Sequence, residues 1–318
     1  MTEYLPWIEK YRPYKFEDII SNEQNISILK NMIANESLPN LLFHGTSGTG
    51  KTSTIMTIAK ELYKNNLNLM VMKLDASDDR GINSVRADIK GFAEKNNMFQ
   101  KGVKLIILDE ADSMTFDAQF ALRRIIEKYS DTTRFCLICN YENKIIPAIR
   151  SRCANFRFNP IKKEEIIKTL TLIAKNEKLN ISIEALELIA YLSFGDLRKG
   201  INILQSISMK STDISINMCY DTLGYPTKEE INTIYEYLTN SKLNFNDIYS
   251  KVNMIIKNNG YSLDIILKEL TYKILNNKIN NKAELLSNLS DLENKISKTI
   301  SNDIYIGGLV AIFIKIDK

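Results

Sequence analysis

The sequence predicts an α/β protein, a parallel sheet with helices on both faces, that passes into an all-helical C-terminal region. Three observations carry this. Short apolar runs alternate with helical stretches as far as Cys139, and parallel strands need such crossovers. From Ile161 onward the strand-type runs fade and helical periodicity remains. Between the run Leu41-Leu42-Phe43 and a helical stretch from Thr52 to Tyr63 stands Gly45-Thr46-Ser47-Gly48-Thr49-Gly50-Lys51-Thr52, a glycine-rich turn where a strand meets a helix.

The elements follow in order. Leu5 to Pro13 reads as an extended arm, because Pro13 disfavours helix at Arg12. A helix is expected from Asn25 to Ala34, then the strand Leu41–Phe43 and the helix Thr52–Tyr63, with Ile55, Ile58, Ala59 and Leu62 on one face. Val71–Leu74 reads as strand and Gly81–Lys95 as helix. Leu105-Ile106-Ile107-Leu108 is an unbroken apolar run suited to a strand buried on both faces. Ala118–Tyr129 is helical and Arg134–Cys139 is strand. Two or three amphipathic helices run to about Cys219, the turn Gly224-Tyr225-Pro226 makes a boundary, and Lys228 to Ile316 reads as four or five helices. The apolar stretch Ile304–Ile314 is too short to cross a bilayer, which takes ~20 residues, and is expected to pack as a terminal helix.

A chain of 318 residues accommodates two or three domains. With 44% hydrophobic and 25% charged residues the composition is that of a globular protein. The net charge of +4 means that a nucleic-acid role requires a local basic surface. Four cysteines and no secretory pattern at the N-terminus point to reduced thiols inside a cell.

The glycine-rich turn fits the P-loop pattern. Its glycines let backbone N–H groups turn inward around phosphate oxygens, Lys51 brings a point charge to the β- and γ-phosphates, and the Thr52 hydroxyl can ligate Mg²⁺. Asp109-Glu110-Ala111-Asp112 follows the buried run. A carboxylate there suits Asp109 to Mg²⁺, through water, and Glu110 to orienting and deprotonating an attacking water. Asn140, at the next strand tip, is either a water- or phosphate-positioning amide or the start of a turn. Cys136 and Cys139 have the spacing of a zinc pair, but on a strand an odd separation sends them to opposite faces, and Cys153 and Cys219 supply no second pair. Arg152 in Ser151-Arg152-Cys153 and Arg198 in Gly195-Asp196-Leu197-Arg198 are surface charges or partners of an anion. Arg198 falls in a helix's first turn, where the dipole disfavours a cation. Arg80, Arg86 and Lys90, the last two on one helix face, read either as a solvated surface or as contacts to a nucleic-acid backbone.

Together, Trp7-Ile8-Glu9-Lys10-Tyr11-Arg12-Pro13, the P-loop, Ala76-Ser77-Asp78-Asp79-Arg80-Gly81-Ile82, Asp109-Glu110-Ala111-Asp112, Ser151-Arg152-Cys153 and Gly195-Asp196-Leu197-Arg198 closely resemble the small subunits of replication factor C, the clamp loader of the AAA+ ATPases. Phe135-Cys136, Asn140-Tyr141 and Arg157-Phe158 look most like one eukaryotic branch of them. The resemblance implies an AAA+ nucleotide-binding domain over residues 1–160, a helical lid over 161–225 and a helical, oligomerising collar over 226–318. It further implies that Asn140 is sensor 1, Arg198 sensor 2 and Arg152 an arginine finger for ATP on a neighbouring subunit. Arg12, Ile19 and Ile20 would line the adenine pocket. ATP and Mg²⁺ are the implied cofactors, and the implied partners are the other subunits of a hetero-pentamer, a sliding clamp and primer–template DNA, with no membrane and, in a eukaryote, a nuclear location. Family small subunits usually carry two prolines where Thr46-Ser47 stand, so a more flexible loop with retained binding is expected. The rival readings are a catalytically silent scaffold subunit of the same ring and a P-loop small-molecule kinase, which would leave Arg152 and the helical tail without a role. A GTPase is disfavoured because Asn143-Lys144 is followed by Ile145-Ile146, with no Asp for guanine.

Overall fold

The computed structural model describes residues 5–20, 22–35, 37–76, 82–94, 102–240, 242–277, 281–296 and 302–316. The chain divides into two compact units, Met1–Asp213 and Ile214–Lys318.

In the first unit the elements are α1 (Trp7–Lys10), α2 (Glu23–Ala34), β1 (Leu41–His44), α3 (Lys51–Tyr63), α4 (Leu67–Met70), β2 (Val71–Asp75), α5 (Ile82–Glu94), β3 (Lys104–Asp109), α6 (Phe116–Lys128), β4 (Thr133–Cys139), α7 (Pro147–Arg150), β5 (Ala154–Arg157), α8 (Lys163–Asn176), α9 (Ile183–Ser193) and α10 (Leu197–Ser208). Strands β1 to β5 form one parallel sheet in the order β2-β3-β4-β1-β5, and the two-residue strand Asn180–Ile181 belongs to a separate two-stranded sheet. Alternation along each strand sorts its residues between the two faces. Leu41, Phe43, Leu105, Ile107, Cys136 and Ile138 pack with Leu29 of α2 and with Ile55, Ile58 and Ala59 of α3. Leu42, Ile106, Leu108, Phe135, Leu137 and Cys139 pack with Ile89, Leu122, Ile126 and Ile149 of α5, α6 and α7. Cys136 and Cys139 therefore lie on opposite faces, as their odd spacing requires. The register sets His44 level with Cys139 and Leu108 level with Leu137, so the C-terminal ends of the inner strands share one edge.

Two expectations need correction. The arm is not extended throughout: Trp7–Lys10 form one helical turn, closed by the N–H groups of Lys10 and Tyr11 on the carbonyls of Pro6 and Trp7 at 3.0 and 2.9 Å. Pro6 stands just before the turn, where its missing N–H costs nothing, and Pro13 limits it only from the far side. The strand β5 was not foreseen. Ala154–Arg157 carries alternate polar residues and little apolar signal, and it exists by pairing along the edge of β1.

Several helices start on side-chain caps. Thr115 accepts from the Ala118 N–H, Ser182 from Ala185, Asp196 from Lys199 and Ser215 from Met218. In the second unit α11 (Ile216–Leu223) ends at Gly224, whose φ of +57° favours glycine. Helix α12 (Lys228–Leu238) begins on a reciprocal cap between Thr227 and Glu230. With α13 (Phe245–Asn259), α14 (Leu263–Asn276), α15 (Lys282–Ile296) and α16 (Asn302–Ile316) it encloses an apolar core that includes Ile234, Val252, Leu270, Leu289 and Leu309. No helix among the described residues is long and apolar enough to cross a membrane.

All four thiols are free and raised in pKa by burial: Cys136 well above its ordinary value, Cys139 and Cys153 to about 12, and Cys219 to about 11. The thiolate is the reactive form, so at pH 8 fewer than about one thiol in a thousand is competent. The folded protein should leave a thiol-exchange reagent uncoloured, and all four cysteines should react once guanidinium unfolds it. Prompt reaction of any cysteine in the folded chain would contradict this burial.

Candidate nucleotide site

Residues 45–50 link β1 to α3 at the C-terminal edge of the sheet. Two glycines there are required by the backbone, with φ of +139° at Gly45 and +64° at Gly48. A side chain at Gly45 would meet the Phe158 carbonyl oxygen at 2.1 Å, and one at Gly48 would meet Asp196 Oδ1 at 1.7 Å. Lys51 opens α3 and is only 7% exposed. Its Nζ donates to the carbonyls of Gly45 at 2.7 Å and Thr46 at 2.8 Å, and to Asn140 Oδ1 at 3.2 Å. Burial lowers the Lys51 pKa, and the positive charge of Arg198 acts in the same direction, against the negative charge of Asp109 and Asp112. Two cations meeting in a partly desolvated cleft favour an anion between them.

The acidic side of the site lies at the end of β3. Thr52 Oγ1 donates to Asp109 Oδ2 at 3.0 Å, and Lys73 Nζ stands 3.7 Å from the same oxygen. Glu110 follows in the left-handed region with φ +54°, a conformation uncommon for a residue with a side chain, and its N–H faces Asp109 Oδ1 at 3.2 Å. That twist turns the chain out of the strand and leaves Glu110 lining the cleft. Asp112 was not assigned a role from sequence. Its Oδ2 accepts the N–H groups of both Asn140 and Tyr141 at 3.2 Å, and so fixes the tip of β4.

The cleft is closed by segments far away in sequence. Ile8, Tyr11, Arg12 and Pro13 come from the arm, Ile19 and Ile20 from the segment after it, and Leu197, Arg198 and Ile201 from α10. The loop also touches α10 directly. Ser47 Oγ donates to Asp196 Oδ2 at 2.6 Å, while Asp196 Oδ1 caps the helix by accepting from the Lys199 N–H at 3.0 Å. The serine that stands where the family usually carries a proline is thus bonded to the start of α10. Asp196 could have been noticed in sequence as an Asp before a helical stretch, but its contact with position 47 could not.

The structure thus brings together around one cleft Arg12, Ile19, Ile20, Ser47 to Thr52, Asp109, Glu110, Asn140 and Arg198, with Gly45 and Thr46 at its base holding Lys51. Arg152 is not among the lining residues. It lies beyond α7, 40% exposed, with its guanidinium 2.7 Å from Glu127 and donating to the Ala148 carbonyl at 2.7 Å. Arg80 falls outside the described residues, as does the Arg86 side chain, although the backbone of Arg86 belongs to α5. Lys90 is exposed on α5, 3.9 Å from Glu94.

The residues fit a magnesium nucleotide. Thr52 and Asp109 offer oxygen atoms that would suit a hard cation. Among the described residues no group of three or more His, Cys, Asp or Glu could hold a metal by itself.

Residues 41–161 match the family described as ATPase family associated with various cellular activities (AAA). Residues 168–209 match the RCF1/5-like AAA+ ATPase lid domain, and residues 226–312 the replication factor C C-terminal domain. The chain is 44% identical to a Dictyostelium discoideum protein named probable replication factor C subunit 5, over 98% of this chain and 91% of that one. It is 41% identical to human replication factor C subunit 5, over 97% and 91%, and 38% identical to Saccharomyces cerevisiae replication factor C subunit 3, over 98% and 94%. Among solved structures, the fold resembles the Thermotoga maritima RuvB motor, with a TM-score of 0.54 at 17% identity over 76% of this chain and 85% of that one. A variant of the same motor aligns with a TM-score of 0.57 over 85% and 99% at 16% identity, a likeness of fold alone. The P-loop cleft, the lid and the helical C-terminal region are therefore those of an AAA+ ATPase, and the chain belongs to the replication factor C family of DNA clamp loaders.

Proposed function

We propose that this chain is an ATP-hydrolysing small subunit of a hetero-pentameric loader that opens a sliding clamp and closes it on primer–template DNA, in the nucleus of a eukaryotic cell. Its three working parts would be a nucleotide-binding domain over residues 1–160, a lid over 161–225 and an oligomerising collar over 226–318. The observation that carries the reading is the buried Lys51, held at the loop beside Arg198 and opposite Asp109 and Glu110. The same intact set disfavours a silent scaffold.

In this reading Lys51 exchanges its bonds to the Gly45 and Thr46 carbonyls for phosphate oxygens. Thr52 and Asp109 hold the Mg²⁺, which when bound neutralises charge building up on the β- and γ-phosphates. Glu110 orients a water in line with the γ-phosphate and accepts its proton. Asn140, braced through its backbone by Asp112, positions that water or the γ-phosphate, while Arg198 draws α10 toward the phosphates. Arg12, Ile19 and Ile20 enclose the adenine. Arg152 serves the site of a neighbouring subunit, and its absence from the residues that line its own cleft supports that direction. Arg80, Arg86 and Lys90 follow the DNA phosphate backbone.

The first test uses two substitutions. Lys51→Ala should abolish tight ATP binding, and Glu110→Gln should bind ATP yet hydrolyse it very slowly in the assembled complex. Normal turnover by the Gln variant would remove Glu110 from the role of base. Arg152→Ala should lower a neighbour's hydrolysis, by up to the ~10³–10⁵-fold that such arginines supply in other P-loop enzymes, while ATP binding at its own loop persists. Subunit mixing separates the two sites, and full ring activity without Arg152 would reject its assignment. Replacing Arg80, Arg86 and Lys90 by Ala should flatten the dependence of log K on log salt by about 0.9 per lost contact on duplex DNA. An unchanged slope would return them to a solvated surface.

A further inference from the structure

The arm that walls the cleft is itself fastened to the helices after the sheet. Tyr11 Oη donates to Glu177 Oε1 at 2.5 Å, and Lys10 Nζ donates to the same oxygen at 2.6 Å. Glu177 follows the last residue of α8, more than 160 positions from either partner. A second tie runs from the Trp7 N–H to Gln205 Oε1 at 3.2 Å, on α10. Gln205 is one turn beyond Ile201, which lines the cleft, so one helix carries both cleft residues and an anchor for the arm.

We propose that Glu177 is a positioning residue for the nucleotide site: by holding Tyr11 and Lys10 it sets the wall that meets the base and ribose, and links affinity for the nucleoside to the placement of α8 and α10. This rests on reading the cleft as the ATP site. The wall concerned is far from the phosphates in chemical terms. Lys51, Thr52 and the loop serve the anionic end, whereas Ile8, Tyr11 and Pro13 offer apolar and aromatic surface suited to a nucleoside. Next to Tyr11, Arg12 also lines the cleft and is bonded to Glu9 at 2.6 Å within the same arm, so it moves with the arm.

The bond is built to persist. Burial, reinforced by the Glu177 bond, raises the Tyr11 pKa to about 12, which keeps its hydroxyl a donor at physiological pH. Burial opposes charge on Glu177, but the Lys10 and Tyr11 hydrogen bonds outweigh it and hold its pKa below the ordinary value. A carboxylate accepting two donors on one oxygen is a strong anchor among side-chain contacts. Removing it leaves the arm, which has only one turn of helix of its own, tied to the later helices through the Trp7–Gln205 bond.

The test uses the full chain with ATP and with inorganic tripolyphosphate, which engages the loop but has no nucleoside. Glu177→Ala and Tyr11→Phe should each weaken ATP binding about threefold to tenfold, the scale of one ordinary hydrogen bond lost. Glu177→Gln, which keeps the shape and one acceptor, should lose less. The double variant should be no weaker than the worse single, because both act through one contact. Tripolyphosphate affinity should stay at the wild-type level in all four. Trp7 is the only tryptophan of the chain, and its emission should shift to the red in nucleotide-free Glu177→Ala as the arm loosens. Unchanged ATP affinity together with a shifted Trp7 emission would overturn the inference. Equal losses for ATP and tripolyphosphate would do so too, since they would indicate general damage. If instead the wild type fails to bind ATP, or Lys51→Ala binds it as well as the wild type, the nucleotide reading falls and takes this inference with it.

Discussion

The site depends on how one buried ammonium is satisfied. A lysine has three N–H donors, and Lys51 directs them to the carbonyls of Gly45 and Thr46 and to the side chain of Asn140. The first two acceptors lie just after β1 and the third just after β4, and these strands are neighbours with His44 opposite Cys139. The pairing of the sheet therefore decides whether the three acceptors converge. A slip of one residue would move Asn140 relative to the loop and turn the apolar residues of β4 to the wrong faces. Core packing and phosphate chemistry place the same demand on the same register.

The parts of this arrangement that are local could be read from sequence. The loop, the strand leading into Asp109 and the helical stretches each declare themselves within a dozen residues, through spacing and apolar runs. Leu105–Leu108 is an example: its lack of alternation signals burial on both faces, and it is fully buried. The pieces that escaped are those defined by a distant partner. Strand β5 has an undistinguished composition and owes its conformation to β1. Asp112 reads as one more acid in a turn until β4 places two backbone N–H groups against it. Glu177 reads as an ordinary charge near the end of a helix until the arm returns to meet it. The helical turn at Trp7 was hidden for a different reason: two prolines bracket it, and only one of them opposes helix there.

The two units illustrate two ways of specifying a fold. The first is held by strand pairing between segments remote in sequence. The residues that line its cleft accordingly come from the arm, the inter-element junctions, α3 and α10. In the second, successive amphipathic helices bury Ile, Leu and Val around a shared core. A region of that kind was easy to foresee as helical, because each helix shows its apolar stripe independently of the others.

The bond between Ser47 and Asp196 gives the loop an unusual thermodynamic character. A proline restricts the chain covalently in every state of the protein, so the entropy it removes is removed from the unfolded ensemble as well. Serine leaves that freedom in place and withdraws it only where Asp196 is near. Order in the loop is then borrowed from the first turn of α10, and the same carboxylate that steadies the helix steadies the loop. Part of the order of residues 45–50 is in this chain conditional on Asp196 meeting Ser47, while the Lys51 bonds to the Gly45 and Thr46 carbonyls hold the loop from its own helix.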